Sequence, residues 1–129
     1  MPDIVVEKRG SVCWVTLNRP DVRNALSRDV NQQLQEIAAE IEHDNEVHAA
    51  VITGAGKGFC AGADLKAESA PGAIPGTDGM SHLGYVYKYQ EYLAELMLAI
   101  HECDKPVIAA INGAAVGGGF AIALASDIR

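Results

Sequence analysis

The chain has 129 residues and a formal net charge of −7, with 49% apolar and 21% charged residues. This length and composition are typical of one globular domain with a hydrophobic core, and the acidic balance argues against nucleic acid and anionic membranes as partners. Three widely spaced cysteines without a CxxC pair favour free thiols over a disulfide framework. With no secretory signal and no apolar stretch of membrane-spanning length in the sequence, we expect a cytoplasmic protein.

The N-terminal third predicts a β-hairpin followed by an amphipathic helix. Residues 4–8 and 12–17 are rich in β-branched and aromatic side chains, and residues 9–11 between them form a turn signal. Ser27 is a good N-cap residue for a helix that ends near residues 43–45. The apolar positions of this helix recur at helical spacing, at Val30, Leu34, Ile37, Ala38 and Ile41.

The remainder alternates short apolar runs with helical segments. Residues 49–53 and 107–111 have the composition of buried strands. Residues 68–79 lack periodicity and predict a mobile surface loop, after which the pattern predicts a helix over about 81–102. A last apolar segment at 120–125 favours a further helix. The order β-β-α-β-loop-α-β-α predicts an α/β layered domain.

A glycine-rich loop follows each of the two buried strands. The first is GAGKGFCAGADL at 54–65, and the second is INGAAVGGG at 111–119. Small residues leave main-chain N–H groups open to a ligand, and such groups carry partial positive charge at a helix N-terminus. Two amides aimed at one carbonyl oxygen form an oxyanion hole. The alternative for each loop is a plain turn that packs a helix against the sheet.

Nucleotide-binding motifs do not explain these loops. Lys57 is followed by Gly58 and not by the Ser or Thr of a phosphate-binding loop. Phe59 stands where the third glycine of a dinucleotide-binding GxGxxG is required. The loops therefore give no support to a nucleotide hydrolase or a dehydrogenase.

The order and spacing of the motifs resemble the enoyl-CoA hydratase/isomerase (crotonase) family over almost the whole chain. The motifs are NRP at 18–20, NAL at 24–26, GFCAGADL at 58–65, KPVIAAING at 105–113 and GGG at 117–119. The resemblance implies an α/β fold of the crotonase type, a spiral of ββα units, apparently truncated because the family is much longer. Residues 1–129 would form the N-terminal part of a crotonase-like acyl-CoA-binding domain.

The resemblance also implies a ligand, an assembly and a site. The ligand would be an acyl-CoA thioester, with coenzyme A entering as part of the substrate and with no other cofactor and no metal. The full-length protein would form a homotrimer or homohexamer. The backbone N–H groups of Ala63 and Gly118 would be the two oxyanion donors for the thioester carbonyl. The substrate-binding residues would be Ala61, Gly62, Asp64, Leu65 and Lys66, together with Arg23 and Ala25. Arg23, Ala25 and Lys57 would be weaker candidates, for contacts near the nucleotide portion.

One departure from the family pattern bears on the chemistry. Hydratases of this family carry a glutamate three residues after the second donor, and this sequence has Ala121 there. A methyl group cannot activate water, which argues against a hydratase that uses two carboxylates. A double-bond isomerase and other CoA-thioester chemistries remain open. So does a non-catalytic protein that binds acyl-CoA or a protein partner without turnover.

Candidates for a general acid or base within the chain are few. Glu68, Asp78, His82 and Tyr85 lie on or beside the predicted mobile loop, and a solvated surface position is the favoured interpretation of each. Cys60 lies in the first glycine loop, where a small filling residue is favoured over a nucleophile. The remaining histidines have no metal-ligand spacing and are interpreted as structural or exposed. They are His43, His48 and His101.

Overall fold

The computed structural model describes residues 1–64 and 76–129. The predicted order of strands and helices is confirmed, with one additional 3₁₀ turn at Pro20–Val22. The strands are β1 (Ile4–Arg9), β2 (Val12–Leu17), β3 (Ala49–Gly54) and β4 (Val107–Ala109). The helices are α1 (Arg28–His43), α2 (His82–His101) and α3 (Gly118–Ala125). Most of the predicted mobile loop at 68–79 lies outside the described residues.

The strands form one four-stranded sheet in the order β1-β2-β3-β4. The β1–β2 pair is antiparallel and closes through the predicted hairpin turn, where Gly10 has a φ of 62°. The β2–β3 and β3–β4 pairs are parallel, and each is joined by a helix, as parallel neighbours require. This arrangement brings the carboxyl ends of the three parallel strands, and the glycine loops that follow two of them, to the same edge of the sheet.

Strand β4 is shorter than the predicted strand at 107–111. Ala110 N–H still donates to Ile52 O at 2.8 Å, and beyond it side chains of the loops make bonds that a longer strand pair would make with main chain. The Thr53 hydroxyl donates to Ala110 O at 2.9 Å, and Gly54 N–H donates to the side-chain oxygen of Asn112 at 3.1 Å. The chain therefore leaves the sheet two residues early and turns into the second glycine loop.

The helices bury most of the apolar positions that their spacing predicts, although Val86 of α2, expected on its apolar face, is exposed. Helix α1 begins at the predicted cap, with Val30 N–H donating to Ser27 Oγ at 3.2 Å. Its buried face includes Val30, Leu34 and Ile41, which pack with residues of the sheet and of α2. Leu96 of α2 is fully buried in the same core. None of the helices in the described residues has the apolar run that a bilayer crossing requires.

Candidate active site

The first glycine loop leaves β3 at Gly54 and is held from one side by Asn24. This asparagine is 1% exposed and has a left-handed φ of 57°, a conformation that asparagine tolerates better than most residues. Its side-chain amide donates to Ala55 O and Gly58 O at 3.0 Å and to Phe59 O at 3.2 Å. A loop rich in glycine is thus fixed by a buried side chain 31 to 35 residues earlier in the chain.

The two glycine loops lie against each other through their main chains. Cys60 N–H donates to Ala114 O at 3.2 Å, and Val116 N–H donates to Cys60 O at 3.0 Å. At Gly119, in the first turn of α3, a Cβ atom would lie only 2.2 Å from Cys60 O. Glycine is therefore the only residue that fits at position 119 without movement of the backbone.

The end of the first loop also pairs with the chain that precedes α1. Leu26 N–H donates to Gly62 O at 2.7 Å, and Asp64 N–H donates to Leu26 O at 2.9 Å. These two bonds form a parallel bridge between Leu26 and Ala63. Successive amides along an extended segment point to opposite sides, so the bridge leaves the Ala63 N–H on the side away from Leu26.

The two predicted donor residues, Ala63 and Gly118, are neighbours. A Cβ built on Gly62 would lie 3.0 Å from Gly118 N, and one built on Gly118 would lie 3.9 Å from Ala63 N. Within residues 1–64 and 76–129, neither the Ala63 N–H nor the Gly118 N–H is the donor in a main-chain hydrogen bond of a loop, turn or helix cap. Gly118 is the first residue of α3, and its N-cap, Gly117, offers no side-chain cap. The N–H groups of Ala63 and Gly118, without a hydrogen bond of this kind, therefore lie close to each other, and that of Gly118 is at a helix N-terminus.

The sequence profile of the enoyl-CoA hydratase/isomerase family matches residues 7–129. The chain belongs to this family. A probable enoyl-CoA hydratase of Mycobacterium tuberculosis is 40% identical over 98% of this chain and 43% of its own length. The short-chain-enoyl-CoA hydratase of Clostridium acetobutylicum is 41% identical over 98% of this chain and 45% of its own length.

Solved structures of the family share the fold. A probable enoyl-CoA hydratase/isomerase from Mycobacterium abscessus superposes with a TM-score of 0.87 at 43% identity. The superposition covers 99% of this chain and 46% of that one. The predicted α/β fold of the crotonase type is thereby confirmed. The chain spans about half the length of the relatives it matches, or less.

Arg19 ties the family's NRP motif to the end of the first loop, a role that the sequence did not indicate. One guanidinium nitrogen donates to Ala25 O at 2.6 Å, and the other lies 3.2 Å from Asp64 Oδ2. Asp64 is 9% exposed, so the carboxylate is paired in a nearly buried position. The family resemblance implies a substrate-binding role for Asp64, and the structure adds this structural one.

The other predicted binding residues divide into three groups. Arg23 and Ala61 are exposed and joined by a bond from Ala61 N–H to Arg23 O at 3.0 Å. Ala25 and Gly62 are buried beneath this surface, and Lys57 is exposed on the same loop. Leu65 and Lys66 lie outside the described residues. The described binding candidates thus lie on two segments, residues 23–25 and 57–64, that contact each other through Arg23 and Ala61.

The acid and base candidates differ in their exposure to solvent. Asp78 and His82 are exposed, and Glu68 lies outside the described residues. The surface interpretation is wrong for Tyr85, which is 3% exposed and stacks with Tyr89 at 6.0 Å between ring centroids. The described ranges contain no group of three or more His, Cys, Asp or Glu residues placed to hold a metal ion.

Cys60 is a buried thiol between the two loops. Its exposed fraction is 0%, and burial raises the pKa of the thiol, although the Gly62 N–H at 3.5 Å from Sγ acts in the opposite direction. A thiol kept neutral is a poor nucleophile. The geometry agrees with a small residue that fills the space between two main chains.

The three cysteines should therefore differ in reactivity. We expect iodoacetamide at neutral pH to alkylate the partly exposed Cys103 well before the buried Cys13 and Cys60 in the native protein. Mass spectrometry of peptides over time measures the order of labelling. Labelling in denaturant serves as the control, because all three thiols should then react at similar rates. Native labelling of Cys60 as fast as that of Cys103 would contradict this assignment.

Proposed function

We propose that the chain supplies both main-chain donors of an oxyanion hole in an enzyme of CoA-thioester metabolism. The donors are the N–H groups of Ala63 and Gly118, and their target is the carbonyl oxygen of an acyl-CoA thioester. The observation that carries the proposal is the pair of neighbouring amides on two packed glycine loops, neither of which donates a loop, turn or cap bond in the described part of the chain. Family membership supports the choice of a thioester ligand.

The proposed chemistry follows from where charge develops. Removing a proton beside the thioester carbonyl, or adding a nucleophile to a conjugated double bond, moves an electron pair onto the carbonyl oxygen. The resulting enolate oxygen would accept hydrogen bonds from both amides, and one such donor is typically worth about 3 kcal/mol in the transition state. The N-terminal end of α3 adds partial positive charge at the Gly118 amide.

Ala121 favours family chemistries that do not need a glutamate at its position. It lies in the first turn of α3, three residues after Gly118, and carries no group that can move a proton. We therefore place double-bond isomerisation, in which one carboxylate can shuttle a proton, ahead of hydration. The second candidate function, acyl-CoA or partner binding without turnover, is favoured by the same residue.

The remaining features of the site and of the protein belong to the same proposal. Residues 61–66 would line the groove for coenzyme A, with Arg23 and Ala25 beside it. Residues 1–129 would be part of an acyl-CoA-binding domain, coenzyme A would enter only as part of the substrate, and no other cofactor would be needed. A homotrimeric or homohexameric assembly and a cytoplasmic location stay predictions. The free cysteines support the predicted cytoplasmic location.

Calorimetry and a turnover assay on the complete protein separate the two candidate functions. We expect crotonyl-CoA to bind, and a 3-enoyl-CoA to be converted to its conjugated isomer faster than crotonyl-CoA is hydrated. Binding without conversion of either compound would favour the non-catalytic function. Absence of binding to both thioesters would refute the proposal, because an oxyanion hole without affinity for a thioester has no purpose.

A further inference from the structure

Asn112 lies at the junction between β4 and the loop that leads to Gly118, and its side chain reaches the other glycine loop. The carboxamide oxygen accepts from Gly54 N–H at 3.1 Å. The carboxamide nitrogen donates to Gly56 O at 3.1 Å and to Gly58 O at 3.2 Å. The oxygen and the nitrogen of the Asn112 carboxamide thus both form hydrogen bonds to the loop that leads to Ala63.

The first glycine loop is held at this point by side chains on both sides. Gly56 has a φ of 77°, and glycine restricts the backbone less than any other residue. The Gly58 carbonyl accepts from two carboxamides, Asn24 on one side and Asn112 on the other. Asn24 is buried, whereas Asn112 is exposed. The turn is therefore held between two side chains, of which only the second belongs to the Gly118 loop.

Backbone packing makes this contact a direct link between the loops. A Cβ on Gly113, the residue after Asn112, would lie 2.0 Å from Lys57 O. The main chains meet there without room for a side chain. A shift of residues 54–58 relative to Asn112 would therefore be passed along the first loop toward Ala63.

We propose that Asn112 is a positioning residue that sets the spacing between the Ala63 and Gly118 amides. It acts through the first loop, by holding residues 54–58 against the segment that leads to Gly118. The inference rests on the proposed function, because the spacing matters only if both amides bind one oxygen. Its consequence is that changes at Asn112 weaken recognition of the carbonyl oxygen and leave recognition of the rest of the ligand unchanged.

Asn112→Asp tests this with almost no change in shape. The remaining acceptor can still bind Gly54 N–H, but an oxygen now faces the carbonyls of Gly56 and Gly58 where the NH₂ group donated. Because the site is exposed, the overall fold should persist. Asn112→Ser is the neutral second variant, since its hydroxyl is too short to reach either carbonyl. Asn45→Asp, in the exposed turn before β3 and so at the other end of that strand, is the matched charge control.

The measurement compares two ligands that differ only in the carbonyl oxygen. Butyryl-CoA has it, and the thioether S-butyl-CoA lacks it. We expect the unaltered protein to prefer butyryl-CoA in calorimetry, and both Asn112 variants to lose about tenfold of that preference, as expected when a hydrogen bond to the ligand is misplaced. Affinity for S-butyl-CoA should stay the same, and Asn45→Asp should keep the full preference.

Each other outcome overturns the inference in a recognisable way. A preference retained in a folded Asn112 variant shows that Asn112 does not position the amides. Equal weakening of both ligands shows a general disturbance of the groove, and failure of both variants to fold shows a purely structural residue. If the unaltered protein itself shows no preference for butyryl-CoA, the oxyanion hole is wrong and the proposed function fails with it.

Discussion

Replacing Gly118 by proline is expected to lower turnover of an enoyl-CoA by about 10²- to 10³-fold with the fold retained, as when one oxyanion donor is removed. Proline has no N–H, so the proposed donor disappears. The first position of a helix is also where proline is best accepted. A residue before proline must avoid the helical region. Gly117, with φ 55° and ψ −121°, already lies outside it.

Gly118→Ala is the matched control for this variant. It adds a Cβ atom at the same place, 3.1 Å from the flexible tip of Leu26, and keeps the N–H group. Comparing kcat for the two variants in the complete protein separates loss of the donor from crowding by the side chain. Circular dichroism checks that both are folded. If the proline variant turned over substrate as fast as the alanine variant, the Gly118 amide would have no part in catalysis.

Gly119→Ala is expected to lower the free energy of unfolding by about 3 kcal/mol, the upper part of the range for overpacked sites. The new Cβ would lie 2.2 Å from Cys60 O and 2.7 Å from Cys60 Cβ. The first contact is with main chain, which cannot rotate away, so the two loops must separate. The gain in helix propensity, about 1 kcal/mol, is too small to compensate.

Gly58→Ala gives a comparison within the same pair of loops. The nearest neighbour of its Cβ would be Ala114 O at 4.0 Å, which is ordinary contact. Urea unfolding of both variants should show a large loss of stability at position 119 and a change within about 1 kcal/mol at position 58. Equal unfolding midpoints would mean that the loops are not packed main chain to main chain at Cys60.

The sequence was sufficient where the determinants are local. Ser27 is a cap because of its own hydroxyl, and the apolar spacing after it is a property of one helix. Long-range partners could not be inferred in this way. Asn24 and Asn112 lie far from the first glycine loop in sequence, and only the sheet topology brings them to it. Tyr85 was misplaced because it lies close to the predicted mobile loop in sequence, whereas its burial depends on how α2 packs.

For the candidate site too, the local features could be predicted from the sequence and the long-range contacts could not. Glycine placed after buried strands indicates exposed amides, and the family motifs gave Ala63 and Gly118 by position. The closeness of these two residues depends on the pairing of Cys60 with Ala115, which no local pattern encodes. The contact between Arg19 and Asp64 is of the same kind, since it joins two motifs that are forty-five residues apart.

Isotope-edited infrared spectroscopy of a bound thioester tests the central claim most directly. The ligand is butyryl-CoA labelled with ¹³C at the carbonyl carbon, and the complete protein is compared with its Gly118→Pro variant. Two N–H groups on one oxygen should move the carbonyl stretch of the bound ligand below its frequency in water, and the variant should lose part of that shift. A bound carbonyl stretch at the frequency of the free thioester would contradict the account.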